Sequence, residues 1–218
     1  MKNFICIIFA LFFLNSFSQK DTLVKNNVYT SLYSFSTGQP VYVKYKLYKG
    51  GGVCSRKDNK FNFKKDSIII HITANGKDYE DTGYDQGHMA NAEDFAYDCT
   101  KEEKTFRYYN CSPQTVSLNR GIWKANENKV RELSQTDSIL VICGGIINKS
   151  CKPIKKGSKL IVPAYFYKLV ISLTSHKVVY CGLFTNTDDC TEKEVKMAIV
   201  EGKLRYYFEK ITSFSIKE

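Results

Sequence analysis

Gly83-Tyr84-Asp85-Gln86-Gly87-His88-Met89-Ala90-Asn91-Ala92-Glu93-Asp94-Phe95 places a histidine in the most unusual polar setting of this chain. The sequence holds three histidines. His71 follows Ile68-Ile69-Ile70 and reads as part of a strand, and His176 sits in the turn Thr174-Ser175-His176-Lys177. Histidine chemistry needs a partnered setting, and neither context supplies one. His88 differs because ordered polar words follow it. Twenty-two residues on stands Asn110-Cys111-Ser112-Pro113-Gln114, and after it Leu118-Asn119-Arg120-Gly121-Ile122-Trp123.

The surroundings of these words are strand-rich. Upstream, Val28 to Tyr48 is full of Tyr, Val, Ser and Thr, and Pro40 to Tyr48 partly alternates as a half-buried strand does, predicting one or two strands. Gly50-Gly51-Gly52 breaks that pattern, and Cys54 to Lys65 reads as a basic surface loop. Phe106-Arg107-Tyr108-Tyr109 reads as a strand entering a loop at Asn110 to Pro113. Asn119 to Leu133 has helical spacing, with Ile122, Trp123, Val130 and Leu133 sharing an apolar sector. Ser138 to Ile147, Lys159 to Leu173 and Lys177 to Phe184 are β-branched and aromatic runs of strand character. Thr191 to Phe208 reads as a helix capped by Thr191, with Glu192 and Glu194 in its first turn. Strands outnumber helices, which predicts an α+β layered domain.

Taken together, the three words resemble the DNA/RNA non-specific endonucleases of the ββα-metal, or His-Me finger, superfamily. That family's signature begins Asp-Arg-Gly-His and continues through Asn-x-x-Pro-Gln to Asn-x-x-x-Trp. Val162-Pro163-Ala164-Tyr165-Phe166-Tyr167-Lys168 extends the resemblance more loosely, so that it covers roughly residues 28 to 185. The resemblance implies a ββα-metal finger fold with a central, mainly antiparallel sheet and helices packed on it. It implies an endonuclease hydrolysing phosphodiester bonds of DNA and RNA, without sequence specificity, to 5′-phosphorylated fragments. In that reading His88 is the general base, Asn119 holds one Mg²⁺ (Mn²⁺ as the substitute), Glu127 orients metal-bound water, Arg131 contacts phosphate and Asn110 positions the site. Asp85 reads instead as a structural turn acid, and Trp123 packs the helix on the sheet.

The physical logic agrees with that carry-over. Phosphodiester cleavage needs an activated water and neutralised charge at the transition state. A neutral imidazole takes a water proton at ordinary pH. Mg²⁺ keeps most of its waters, so a single amide ligand plus phosphate suffices. Glu127 follows Asn119 by eight residues and Arg131 follows by four more, each four-residue step turning the helix face by about 40°. The bland alternative for these two is an i,i+4 surface ion pair. One departure matters: Gln86 stands where the family has arginine, which removes a fixed positive charge from the substrate-binding side. Gln86 and Arg56, in the basic loop, are the substrate-binding candidates. A catalytically weakened nucleic-acid-binding protein on the same fold is the alternative that Gln86 raises, and a nuclease toxin held by a cognate inhibitor is a third.

Composition bounds the rest. With 43% apolar and 14% aromatic residues, 218 residues build a full core as one domain. Lys2, the apolar run Phe4 to Phe13 and Ser16-Phe17-Ser18 read as a signal peptide over residues 1–18, leaving a single endonuclease domain over 19–218. The apolar run is too short to span a bilayer. Export, to the periplasm or the exterior, follows as the expectation, with no membrane contact by the mature form. Losing Lys2 takes the formal charge from +10 to +9. That field suits DNA and RNA as substrates and equally suits other polyanions. A homodimer and a protein inhibitor stay open as further partners. Of the eight cysteines, seven follow the signal. Cys143 and Cys181 lie in apolar strand-like runs and read as buried thiols, while Cys99, Cys111, Cys151 and Cys190 are the disulfide candidates. No paired Cys-x-x-Cys or His–Cys cluster points to zinc.

Overall fold

The computed structural model describes residues 21–55, 61–65, 67–68 and 74–194. The signal segment, Arg56 and His71 lie outside them. Nine strands run through these residues: β1 Asp21–Lys25, β2 Thr30–Ser34, β3 Gln39–Leu47, β4 Tyr84–His88, β5 Cys111–Thr115, β6 Ile139–Ile146, β7 Tyr165–Ser172, β8 Val178–Thr185 and β9 Glu192–Glu194. Seven of them form one sheet in the order β1-β2-β3-β6-β7-β8-β9, and β4 pairs with β5 in a separate two-stranded ribbon. Every strand pair is antiparallel. The expected α+β class with a mainly antiparallel sheet is what the chain adopts.

The central strands are buried on both faces, and period-2 geometry sorts their side chains. Val43, Tyr45, Val141, Cys143, Phe166 and Val170 pack in the larger core with Trp123 and Val130. Tyr42, Leu140, Ile142, Tyr167, Leu169 and Ile171 form a second core on the opposite face. The first face carries the chemistry-bearing words. After the β4–β5 ribbon comes a π-helical turn, Leu118–Ile122, in which Gly121 leaves helical dihedrals at φ −102° and ψ −110°. The helix α2, Trp123–Leu133, follows directly. Two strands and a helix thus form a finger lying on the large sheet, with Trp123 edge-on to Phe166 and Phe184. The shorter helix α1, Cys99–Thr105, is capped by the Asp98 carboxylate, which accepts from the backbone N–H groups of Thr100 and Lys101.

Four sequence expectations are corrected here. Phe106 to Tyr109 is not a strand: Tyr108–Asn110 is a 3₁₀ turn, and the strand is the next segment, Cys111–Thr115. Pairing with β4 from Tyr84↔Thr115 to His88↔Cys111 decides this, outweighing the poor strand propensity of Cys-Ser-Pro-Gln-Thr. The β7 strand begins at Tyr165 and not near Lys159, because Pro163 lacks the N–H a ladder requires. The expected helix from Thr191 fails at its start, since Glu192–Glu194 pairs with Gly182–Phe184 of β8; the remainder lies outside the described residues. Finally, a π turn intervenes between Asn119 and α2, so helical arithmetic holds from Trp123 to Arg131 but not from Asn119.

Cysteine pairing also differs from expectation. Cys54 and Cys99 form a disulfide, with Cα atoms 5.4 Å apart. Cys99 was among the candidates; its partner was not. Cys111, Cys151 and Cys190 carry free thiols. Cys111 is buried on β5 with its sulfur 3.1 Å from the Tyr79 hydroxyl, and burial pushes its thiol up to about 12. Cys151 instead accepts from the Asn148 backbone N–H within its own turn. Cys143 is fully buried as a free thiol, as its strand setting implied, and Cys181 is partly buried. The disulfide depends on the glycine run: Gly51 and Gly52 hold φ of 110° and 122°, and a Cβ on Gly52 would collide with the Ala96–Tyr97 backbone. The loop therefore lies flat against that turn and delivers Cys54 to the start of α1.

Candidate active site

His88 ends β4, where pairing with Cys111 fixes its backbone. Its half-buried imidazole lies between two aromatic rings, with centroids 4.5 Å from Phe63 and 4.6 Å from Phe106. Two further residues fix the strand end. The Asn110 amide oxygen accepts from Ala90 N at 2.7 Å, and its Nδ2 donates to the carbonyls of Ala90 and Thr105 at 2.9 and 2.8 Å. Asn110 is fully buried, and both ends of its amide are engaged with backbone. It sets the shape of the chain around His88. The second is Trp123, whose indole N–H donates to the His88 carbonyl at 3.3 Å. Beyond packing the helix, then, Trp123 ties the first residue of α2 to the histidine.

Asn119 lies in the π turn, opposite β4. Its Nδ2 donates to Asp85 Oδ2 at 2.9 Å. Asp85 also accepts two bonds from Arg120, each 2.8 Å, from Nε to Oδ2 and from Nη2 to Oδ1. Those bonds, the Arg120 pair foremost, hold the Asp85 carboxyl below its ordinary range. Asp85 is therefore no turn acid: it is a strand residue that orients Asn119. The consequence is chemical. With Nδ2 committed to a carboxylate, Asn119 presents Oδ1, which accepts no hydrogen bond among the described residues. An amide oxygen of this kind suits a hard divalent cation that retains its waters. No cluster of three or more His, Cys, Asp or Glu side chains at ligand spacing occurs among the described residues, so Oδ1 is the donor this turn offers.

Glu127 and Arg131 lie one and two turns beyond Trp123 on α2. They do not form the i,i+4 pair that spacing alone suggests. Arg131 Nε instead bonds Asp94 Oδ1 at 3.2 Å, and its Nη1 donates to Asn128. Asp94 is completely buried in the 3₁₀ turn Ala92–Phe95 and also accepts from the Tyr45 hydroxyl at 2.8 Å. Burial raises its carboxyl to about 6, against the pull of Arg131. Burial likewise lifts Glu127 to about 7, opposed first by the charge of Lys168. Gln86 shares the His88 face of β4, half-buried, with no side-chain hydrogen bond among the described residues.

The structure thus gathers His88, Asn110, Asn119 and Trp123 around the finger and sets Glu127 and Arg131 further along the same helix. Sequence reasoning missed Asp94, Lys168 and the ring pair Phe63 and Phe106. Asp94 carried a signal in its apolar flanks Ala92, Phe95 and Ala96, which place an acid where water is excluded.

A family model described as DNA/RNA non-specific endonuclease matches residues 12–209. The chain belongs to that family. Among relatives of this endonuclease family, a nuclease of Nostoc sp. is 31% identical over 170 residues, covering 76% of the chain and 60% of the relative. The mitochondrial endonuclease G of Bos taurus is 28% identical over 116 residues, covering 49% and 39%. The mitochondrial nuclease of Saccharomyces cerevisiae is 26% identical over 159 residues, covering 66% and 48%. The chain therefore spans between 39% and 60% of the length of these relatives. A solved EndoG/EndoGI complex matches at a TM-score of 0.68 with 21% identity, covering 88% of this chain and 87% of that one, and shows the shared fold.

Proposed function

We propose that this chain is a metal-dependent endonuclease that hydrolyses phosphodiester bonds of DNA and RNA without sequence preference. The observation that carries the reading is the finger itself. A histidine at the end of β4 and an asparagine in the turn before α2 are locked to one strand, Asn119 through Asp85 and His88 through Trp123, with Asn119 Oδ1 left for a cation. Membership of the endonuclease family points the same way.

Each side chain then has a task. The His88 imidazole accepts a proton from the attacking water. Asn119 Oδ1 holds the divalent ion, Mg²⁺ with Mn²⁺ as substitute. When bound, that ion neutralises charge on the scissile phosphate and on the leaving oxygen. The Glu127 carboxylate orients water at the site, and Arg131, fixed by Asp94, supplies positive charge for phosphate. Gln86 and Arg56 are the proposed substrate contacts; Gln86 offers hydrogen bonds without charge. The basic surface favours backbone-directed binding, with little sequence preference and steep salt dependence.

The reading extends to export. Residues 1–18 have signal-peptide character, residues 19–218 would form the working domain, and a disulfide suits an oxidising compartment, periplasmic or extracellular. A protein inhibitor is the proposed macromolecular partner, since the EndoG of like fold was solved with EndoGI under inhibition.

The test is cleavage of supercoiled plasmid and of RNA in Mg²⁺ and in chelator, by wild type and Asn119→Ala. Metal-dependent loss of both substrates, with a sharply raised Mg²⁺ requirement in the variant, is expected. Plasmid that is bound but never cut would favour the weakened binding protein and implicate Gln86. An unchanged Mg²⁺ requirement in Asn119→Ala would remove the ligand assignment.

A further inference from the structure

Lys168 occupies a position that a lysine rarely holds. It lies on β7 between Phe166 and Val170, on the sheet face that carries α2, paired with Cys143 of β6. Its side chain is completely buried. Its Nζ makes no hydrogen bond among the described residues and sits 3.9 Å from the centroid of the Trp123 ring. A buried ammonium over an indole face is attracted by the ring quadrupole, but that attraction alone does not repay full desolvation. A negative charge must complete the balance, and two carboxylates are at hand.

The groups acting on Glu127 come from every element around it. Asp94 belongs to the 3₁₀ turn, Lys168 to β7 and Arg131 to its own helix. Cys143 on β6 and Tyr45 on β3 are buried and stay neutral, their thiol and hydroxyl pushed up by desolvation. Arg131 is committed to Asp94. Lys168 is the cation that acts most strongly on Glu127, ahead of Arg131. It also grips Trp123, one turn before Glu127 and bonded to the His88 carbonyl.

We propose that Lys168 is a positioning residue of the active centre: its buried ammonium, stacked on Trp123, is the internal counter-charge that offsets part of the burial of the Glu127 carboxylate and holds the His88 strand end against α2. The inference rests on the nuclease reading for its catalytic consequence, but its electrostatic content does not. Lys168 touches no substrate in this account and acts through Glu127 and Trp123.

The chain has a single tryptophan, so intrinsic fluorescence reports on Trp123 directly. In chelator, wild-type emission should titrate with Glu127 near neutral pH, the step should move upward by about one pH unit in Lys168→Met, and Glu127→Gln should abolish it. In Mg²⁺, Lys168→Met should lower kcat about 10- to 100-fold at neutral pH with KM little changed. The acid limb of its pH profile should move with the fluorescence step, and Lys168→Arg should restore most of both. If wild type cuts nucleic acid and Lys168→Met keeps its kcat, acid limb and fluorescence step, the proposal is overturned. If no form cuts yet the step moves, the nuclease reading fails while the counter-charge stands. Should Lys168→Met not fold, the double variant Lys168→Met/Glu127→Gln decides: recovery of the fold supports the pairing, and continued misfolding overturns it.

Discussion

A carboxylate held in a buried place weakens the fold that holds it, and Glu127 lets that cost be measured. Burial raises its carboxyl from an ordinary 4.5 to about 7. Each pH unit of such a rise is worth about 1.4 kcal/mol, so above pH 7 the ionised group destabilises the folded state by at most roughly 3 kcal/mol. Partial exposure of the side chain screens the charge and brings the expectation to about 2 kcal/mol. Because the folded state binds the proton more tightly than the unfolded chain, the penalty is absent below pH 4.5 and grows as pH rises to 7. Glu127→Gln removes the charge with little change of shape. In chelator at pH 8 the variant should melt about 5 °C above wild type, and at pH 4.5 the two should melt together, while cleavage in Mg²⁺ falls. Calorimetry across that pH range checks both statements. A variant less stable than wild type at pH 8, or a difference that ignores pH, would refute the electrostatic account.

Other residues give sharper structural outcomes. Cys99→Ser opens the disulfide that closes a 45-residue loop, and the loop-entropy relation puts the loss at about 4 kcal/mol, visible as a melting temperature lower by roughly 10 °C and mimicked by reductant. Gly87→Ala places a Cβ against the buried Gln114 amide beside His88; it should cost about 1 to 3 kcal/mol in denaturant melts and lower kcat more than it raises KM. Asp85→Asn should lower the melting temperature little, because its partner Arg120 is largely in solvent, yet raise the Mg²⁺ needed for half-maximal cleavage about 10- to 100-fold by weakening the charge-assisted bond that orients Asn119. Equal losses of stability and metal affinity in Asp85→Asn would show that it merely supports the ribbon.

Much of this architecture was legible in the residues. Ile139 to Ile146 and Val178 to Thr185 are strands because β-branched and aromatic residues fit a pleated, buried surface, and the chain places them so. The ordered words around His88, Asn110 and Asn119 carried the family resemblance that implied a ββα finger, and the helical spacing after Asn119 was readable. What was not legible was tertiary. Phe106 to Tyr109 has strand composition, but it forms a turn and its Phe106 ring walls His88. Cys-Ser-Pro-Gln-Thr has little strand propensity and becomes β5 because the buried Asn110 amide and β4 hold it there. Cys54 looked like a solvent-facing loop residue, since only the docking of Gly52 on Ala96–Tyr97 reveals where the loop goes. Lys168 looked like one more cation in a basic chain, and a strand pattern alone does not say that its face is the covered one.

The central claim is that His88, held by Asn110 and Trp123, is the base of a phosphodiester hydrolase. It is tested most directly by single-turnover cleavage of plasmid by residues 19–218 in Mg²⁺, wild type beside His88→Ala, with and without added imidazole. The account predicts cleavage by wild type, a loss of about 10²- to 10⁴-fold in the variant with nucleic-acid binding retained, and partial recovery in imidazole. His88→Ala that cuts at the wild-type rate would contradict it.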